Sequence, residues 1–263
     1  MNGTVFSRQQ GAIRSLVISN PSKRNAMSRG MWESLAELIG QADADPSVRV
    51  IVLQGDGEQA FVSGADISTF ESQRTNPDDQ RRFSEAVEAA YAAPGRASKP
   101  VIAKIRGICF GGGLGLAAAC DLRIASDDAR FRMPAARLGL GYGAPGVARF
   151  MSVIGLANTL DIFMTARIFE AGEALRMGLL REVVPVSALD PHVDALAASI
   201  AENAPLTIAA LKCAARAISS ASLGEIATRP EVLEALARCE RSDDYREGAK
   251  AFMEKRTPNF QGR

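Results

Sequence analysis

KPVIAKIRGICFGGGLGLAAACDLRIAS, residues 99–126, runs from an apolar segment through a cluster of glycines into a second apolar segment. Residues 100–105 form the near-continuous apolar run of a strand buried on both faces, residues 114–120 read as a short buried helix, and residues 122–125 as a further strand. Gly113, Gly115 and Ala118 also fit a G-x-G-x-x-A pattern after a strand, which raises a dinucleotide-binding reading. Two observations argue against it: Arg132 and Met133 stand where an acidic ribose ligand belongs, and the strand at 122–125 arrives too soon for a full crossover helix. No G-K-[ST] follows, which removes the phosphate-cradling loop as well. There remains a helix N-terminus whose free amides, with roughly half a positive charge, suit a developing oxyanion. The competing structural explanation is that these glycines only permit close helix-to-strand packing.

Outward from this stretch the same alternation continues. Residues 13–18 alternate as a strand, and VRVIVLQ (48–54) is a second doubly buried one. Between them Ser28 is placed to cap a helix with Met31, Leu35, Leu38 and Ile39 on one face. Residues 83–91 read as another helix. The segment GDGEQAFVSGADIS (55–68) supplies Ser63, Gly64 and Ala65, small enough to let backbone N–H groups face a ligand. Strands alternating with helices imply an α/β core. From about residue 158 the spacing becomes helical, over 160–165, 171–177, 191–203, 205–219 and 231–239. No repeat or low-complexity linker divides the chain.

Composition narrows the function. The 263 residues are 47% hydrophobic, enough for a large core, and 31 basic against 30 acidic residues leave a net charge of +1. Without charge blocks, neither nucleic acid nor an anionic membrane is an expected partner. No h-region opens the chain and no window approaches about 18 consecutive apolar residues, so a cytoplasmic location is expected. Cys109, Cys120, Cys213 and Cys239 are too dispersed for a disulfide framework or a metal site and read as reduced thiols. His192, the single histidine, follows Asp190 and Pro191 in a turn-like stretch, and reads as a cap or surface residue rather than a general base.

Five segments in order, NPSKRNAMS (20–28), GEQAFVSGADI (57–67), residues 99–131, GLLREVVP (178–185) and DDYREGAKAFMEKRTPNF (243–260), resemble the enoyl-CoA hydratase/isomerase (crotonase) superfamily along nearly the whole chain. The resemblance implies a crotonase-like α/β spiral of ββα units over 1–198 and a helical C-terminal oligomerisation region over 199–263, assembled as a homotrimer or a dimer of trimers. It implies an acyl-CoA substrate, with coenzyme A present as part of that substrate and no other cofactor or metal. The thioester oxygen would be held by the N–H groups of Ala65 and Gly112. Coenzyme A would pass Lys23, Arg24 and Ala26, then Ser63, Asp66 and Ile67, with Phe252 and Lys255 reaching a neighbour's coenzyme A.

The chain departs from the family where chemistry is done. Gly115 and Ala135 stand at the two positions where the family's hydratases carry glutamates. Each such acid or base contributes roughly 10²- to 10⁴-fold, so ordinary hydration is not expected. Tyr142, in the loop GLGYGAPG, resembles the tyrosine of methylmalonyl-CoA decarboxylase-like members, although Ala65 replaces the histidine those members carry. Decarboxylation needs no base, because loss of carbon dioxide itself leaves the enolate. Arg106, Arg132 and Arg137 flank the same region and are open to two readings, contact with a substrate carboxylate or ordinary ion pairing. Three functions remain in competition: a family enzyme working through a thioester enolate, a decarboxylase using Tyr142, and an acyl-CoA-binding protein without catalysis.

Overall fold

A computed structural model describes residues 3–66, 77–218, 230–254 and 256–263. Two sheets share the α/β part. The larger has strand order β1 (Thr4–Gln10), β2 (Ile13–Ser19), β3 (Val50–Gly55), β5 (Val101–Ile105), β7 (Leu122–Ser126), β10 (Glu182–Val184), all parallel from β2 onward. The smaller has order β4 (Ala60–Val62), β6 (Ile108–Phe110), β8 (Arg130–Arg132), β9 (Ile168–Glu170). The chain alternates between them: β3 then β4, β5 then β6, β7 then β8, each pair one step further along, with α2 (Pro77–Arg96) and α3 (Gly112–Ala119) closing the first two turns. This is the spiral of ββα units expected from the resemblance. In β3 the apolar run is buried on both sides for two separate reasons. Ile51 and Leu53 face the main core with Trp32, Phe61 and Phe131, whereas Val50 and Val52 face a second cluster built on Leu189, Val193 and Ala197 of α6 (Leu189–Ala201).

Helix α1 (Arg29–Ala44) starts where Ser28 accepts a hydrogen bond from the Met31 N–H, and it buries Met31, Trp32, Leu35 and Ile39. The glycine-rich helix α3 begins at Gly112, two residues earlier than residues 114–120 suggested, which makes Gly112 its first helical residue. Helix α4 (Ala144–Thr165) is broken at Gly155, where φ is 75° and ψ 168°. It extends well N-terminal of the 160–165 helix expected from spacing. Helix α5 (Ala171–Arg176) precedes β10, and α6 spans the expected division at 198/199. Helices α7 (Pro205–Ile218), α8 (Pro230–Arg241) and α9 (Asp243–Glu254) make the helical C-terminal part.

Candidate functional site

The loop 63–66 and the start of α3 lie side by side. A Cβ built on Gly64 would stand 3.9 Å from Gly112 N, and Gly111 enters the helix at φ 50°, a conformation that glycine takes without penalty. Ala65 bridges Met27 in parallel register, held by Met27 N–H to Gly64 O (2.9 Å) and Asp66 N–H to Met27 O (3.0 Å). Those bonds leave the Ala65 N–H over. Among the described residues neither it nor the Gly112 N–H donates to a backbone carbonyl outside regular elements. Among the described residues the two small-residue segments therefore present, within one neighbourhood, two amide donors that no backbone carbonyl takes up.

The glycines of α3 divide by task. A Cβ on Gly113 would come 2.2 Å from Val62 O, so that glycine serves close packing of α3 on β4. Gly115 differs, because what crowds it is polar. A Cβ there would lie 2.6 Å from the Tyr91 hydroxyl and 2.9 Å from the Tyr142 hydroxyl. Two phenols from distant parts of the chain thus converge on the position where the resemblance puts a glutamate. Tyr91, on α2, donates to Gly112 O at 3.0 Å. The Tyr142 hydroxyl is enclosed and has no hydrogen-bond partner among the described residues.

Packing fixes both rings. Tyr91 meets Trp32 edge-on at 5.6 Å between centroids, and a Cβ on Gly112 would lie 3.0 Å from the Trp32 ring. Tyr142 sits edge-on to Phe163 (4.9 Å) and Phe150 (6.4 Å), and a Cβ on Gly146 would lie 2.3 Å from its ring. Burial raises the pKa of both phenols, and the Tyr142 hydroxyl adds to the rise at Tyr91, whereas the Arg149 charge opposes it at both. At neutral pH both therefore remain protonated and act as donors, not bases.

The other expected residues fall into two groups. Lys23, Arg24, Ser63 and Asp66 are brought together: Lys23 pairs with the buried Asp66 carboxylate at 2.7 Å, Ser63 Oγ donates to Lys23 O (3.1 Å), and Ser63 N–H donates to Arg24 O (3.2 Å). Ala26 is buried beside them, while the Arg24 side chain is exposed. This loop is held by Asn25, whose amide donates to Asp56 O (3.0 Å) and Ala60 O (2.8 Å) at a backbone φ of 58°. Ile67 and Lys255 lie outside the described residues; Phe252 lies on α9 with its side chain outside them. Ala135 is buried in the first turn of a short 3-10 segment.

Arg106, Arg132 and Arg137 do not converge on the phenols. Arg106 pairs with Asp190 (3.2 Å), Arg132 Nε donates to Ala166 O (2.8 Å), and Arg137 is exposed. The arginine that does approach is Arg149, on the first half of α4, whose guanidinium lies 5.1 Å from the Tyr91 ring centroid. Neither Tyr91 nor Arg149 stood out in the sequence, since each is an ordinary helical residue until the fold places it. His192 bonds Glu182 at 2.9 Å, away from this cluster, and among the described residues no group of three His, Cys, Asp or Glu side chains is placed to hold a metal.

Comparison with known proteins identifies the fold and the family. The family model for enoyl-CoA hydratase/isomerase matches residues 8–263. The chain is 33% identical over 253 residues to the short-chain-enoyl-CoA hydratase of Clostridium acetobutylicum, covering 96% of this chain and 95% of the relative. It is 35% identical over 273 residues to the carnitinyl-CoA dehydratase of Proteus mirabilis, with all of both chains covered. Among solved structures, an enoyl-CoA hydratase/carnithine racemase from Magnetospirillum magneticum superposes with a TM-score of 0.93 at 32% identity, over 100% of this chain and 97% of that one. The chain belongs to the enoyl-CoA hydratase/isomerase family.

Proposed function

We propose that this protein is an acyl-CoA enzyme that forms a thioester enolate, holds the enolate oxygen with the N–H groups of Ala65 and Gly112, and returns a proton from Tyr142. The observation that carries this reading is the pair of protonated phenols filling the space above Gly115, beside those two amides. Two preorganised donors of this kind stabilise a developing oxyanion by several kcal/mol. Both relatives described above are named for acyl-CoA reactions, which supports an acyl-CoA substrate. Lys23, Arg24, Ala26, Ser63 and Asp66 form the surface assigned to coenzyme A; the resemblance adds Ile67 to it and assigns Phe252 and Lys255 to a neighbour's coenzyme A.

A site with donors and no base favours one reaction in particular, decarboxylation of a malonyl- or methylmalonyl-type thioester. The bond between the α-carbon and the carboxylate breaks, carbon dioxide leaves, and the electron pair moves into the thioester as the enolate. The Tyr142 O–H then protonates the α-carbon, and water reprotonates the phenolate. Addition of water to an enoyl thioester would instead require a base that neither phenol supplies.

Purified protein incubated with crotonyl-CoA, malonyl-CoA and methylmalonyl-CoA tests both statements. The expected result is carbon dioxide release without hydration, reduced roughly 10²- to 10⁴-fold by Tyr142→Phe with acyl-CoA binding retained. Hydration of crotonyl-CoA without decarboxylation would overturn the decarboxylase reading. Tight binding with no turnover of any of the three would make the protein a binder. Failure of all three to raise the melting temperature at concentrations far above a micromolar dissociation constant would overturn the acyl-CoA assignment itself.

A further inference from the structure

We propose that Arg149 selects the acyl group, and that the acyl group it selects carries a carboxylate. The inference rests on the acyl-CoA reading above and names the substrate class of the same site. Three side chains around Tyr91 hold enclosed donors with no partner among the described residues: Arg149 at Nη1, Tyr142 at its hydroxyl and Trp32 at Nε1. Arg149 lies over the Tyr91 ring, Trp32 packs against its edge, and the Tyr142 hydroxyl shares with that of Tyr91 the space above Gly115. A guanidinium and an indole are donors only, and Tyr142 is held protonated by burial.

Enclosed donors of this kind are costly while each lacks an acceptor, since a buried polar atom has given up water without replacement. A plain aliphatic acyl chain would leave all three unsatisfied. A carboxylate offers two oxygens and about four acceptor positions, and a guanidinium matches it in charge and in planar geometry. The other arginines near the site are bound to protein acceptors or exposed, so the charge complement falls to Arg149. The Tyr91 ring beneath the Arg149 guanidinium holds it in place before any ligand arrives.

The test measures dissociation constants for two pairs that differ by a carboxylate in place of a methyl group, succinyl-CoA against butyryl-CoA and methylmalonyl-CoA against isobutyryl-CoA, on the wild-type protein, Arg149→Met and Arg149→Lys. The wild type is expected to prefer the carboxylate in at least one pair by roughly 10- to 100-fold, the value of a charge-assisted hydrogen bond. Arg149→Met should bring that ratio close to one while leaving the neutral member's affinity unchanged, which also shows that the variant is folded. Arg149→Lys should retain part of the preference. A wild-type ratio near one in both pairs overturns the proposal. Equal weakening of both members by Arg149→Met overturns it too, because the residue would then serve coenzyme A or the fold. If neither member of either pair binds the wild type, the acyl-CoA reading falls first and the proposal with it.

Discussion

One missing side chain organises the chemistry at residue scale. At Gly115 a Cβ would lie within 2.9 Å of both phenol oxygens and 2.7 Å from Tyr91 Cζ, contacts that real side chains do not make. Restoring the glutamate that the family's hydratases carry is therefore expected to fail in this background. Gly115→Glu should destabilise the protein by about 1–3 kcal/mol through overpacking, read as a fall in the urea midpoint, and should yield no crotonyl-CoA hydration. Adding Tyr91→Phe removes the nearest oxygen and should recover part of the lost stability. If Gly115→Glu alone hydrated crotonyl-CoA at full stability, the phenols would not be what holds that space. The absence of an acid at Gly115 was legible in the sequence, as was the pair of small-residue segments carrying Ala65 and Gly112. Tyr91 and Arg149 were not. Their relevance comes from α2 and α4 packing against α3, a tertiary placement that leaves no local pattern, and backbone donors leave none either.

At the scale of elements, Gly155 shapes the site from a distance. In a straight helix Phe150 and Phe163 would stand roughly 20 Å apart along the axis, yet their ring centroids are 5.3 Å apart and both meet Tyr142. The chain folds back at Gly155, whose φ of 75° and ψ of 168° belong to a region open essentially to glycine alone. No neighbour lies within 4 Å of a Cβ placed there, so the cost of Gly155→Ala is conformational. It should be about 1–3 kcal/mol, seen as a lower urea midpoint with an unchanged slope. Turnover should fall with it, because Phe163 no longer braces Tyr142; a variant of wild-type stability would mean that the bend is set by packing rather than by glycine. The long elements of the fold were readable because burial on two faces in β3 and on one face of α1 imposes a period. Strands β4, β6, β8, β9 and β10 have three residues each, too few to show one. The start of α4 is hidden in the sequence because Ala144, Pro145 and Gly146, its first residues, carry the turn chemistry of the loop GLGYGAPG.

On the whole molecule, the fold-back also decides what the second half of α4 is for. By length and composition α4 resembles a membrane span, with a mean hydropathy of 1.4 over an 18-residue window of which 22% is buried. A helix doubled back on itself does not provide the extended rod that spanning requires. Its second half instead exposes Leu156, Leu160 and Met164, at 55%, 40% and 71%, spaced four residues apart so that they form one stripe. An apolar stripe on a chain with a net charge of only +1 suits another copy of the same surface better than a charged partner or an anionic membrane. The homotrimer or dimer of trimers expected from the resemblance would have this stripe to bury. Leu160→Glu combined with Met164→Glu leaves the exposed side of a single chain and should change its own stability by no more than about 0.5 kcal/mol per site. Light scattering after size exclusion should give three or six chain masses for the wild type and one for the double variant. Because Phe252 and Lys255 are expected to reach a neighbour's coenzyme A, the separated chain should also bind acyl-CoA more weakly. A wild-type monomer, or a double variant that still assembles, would remove this stripe from the interface.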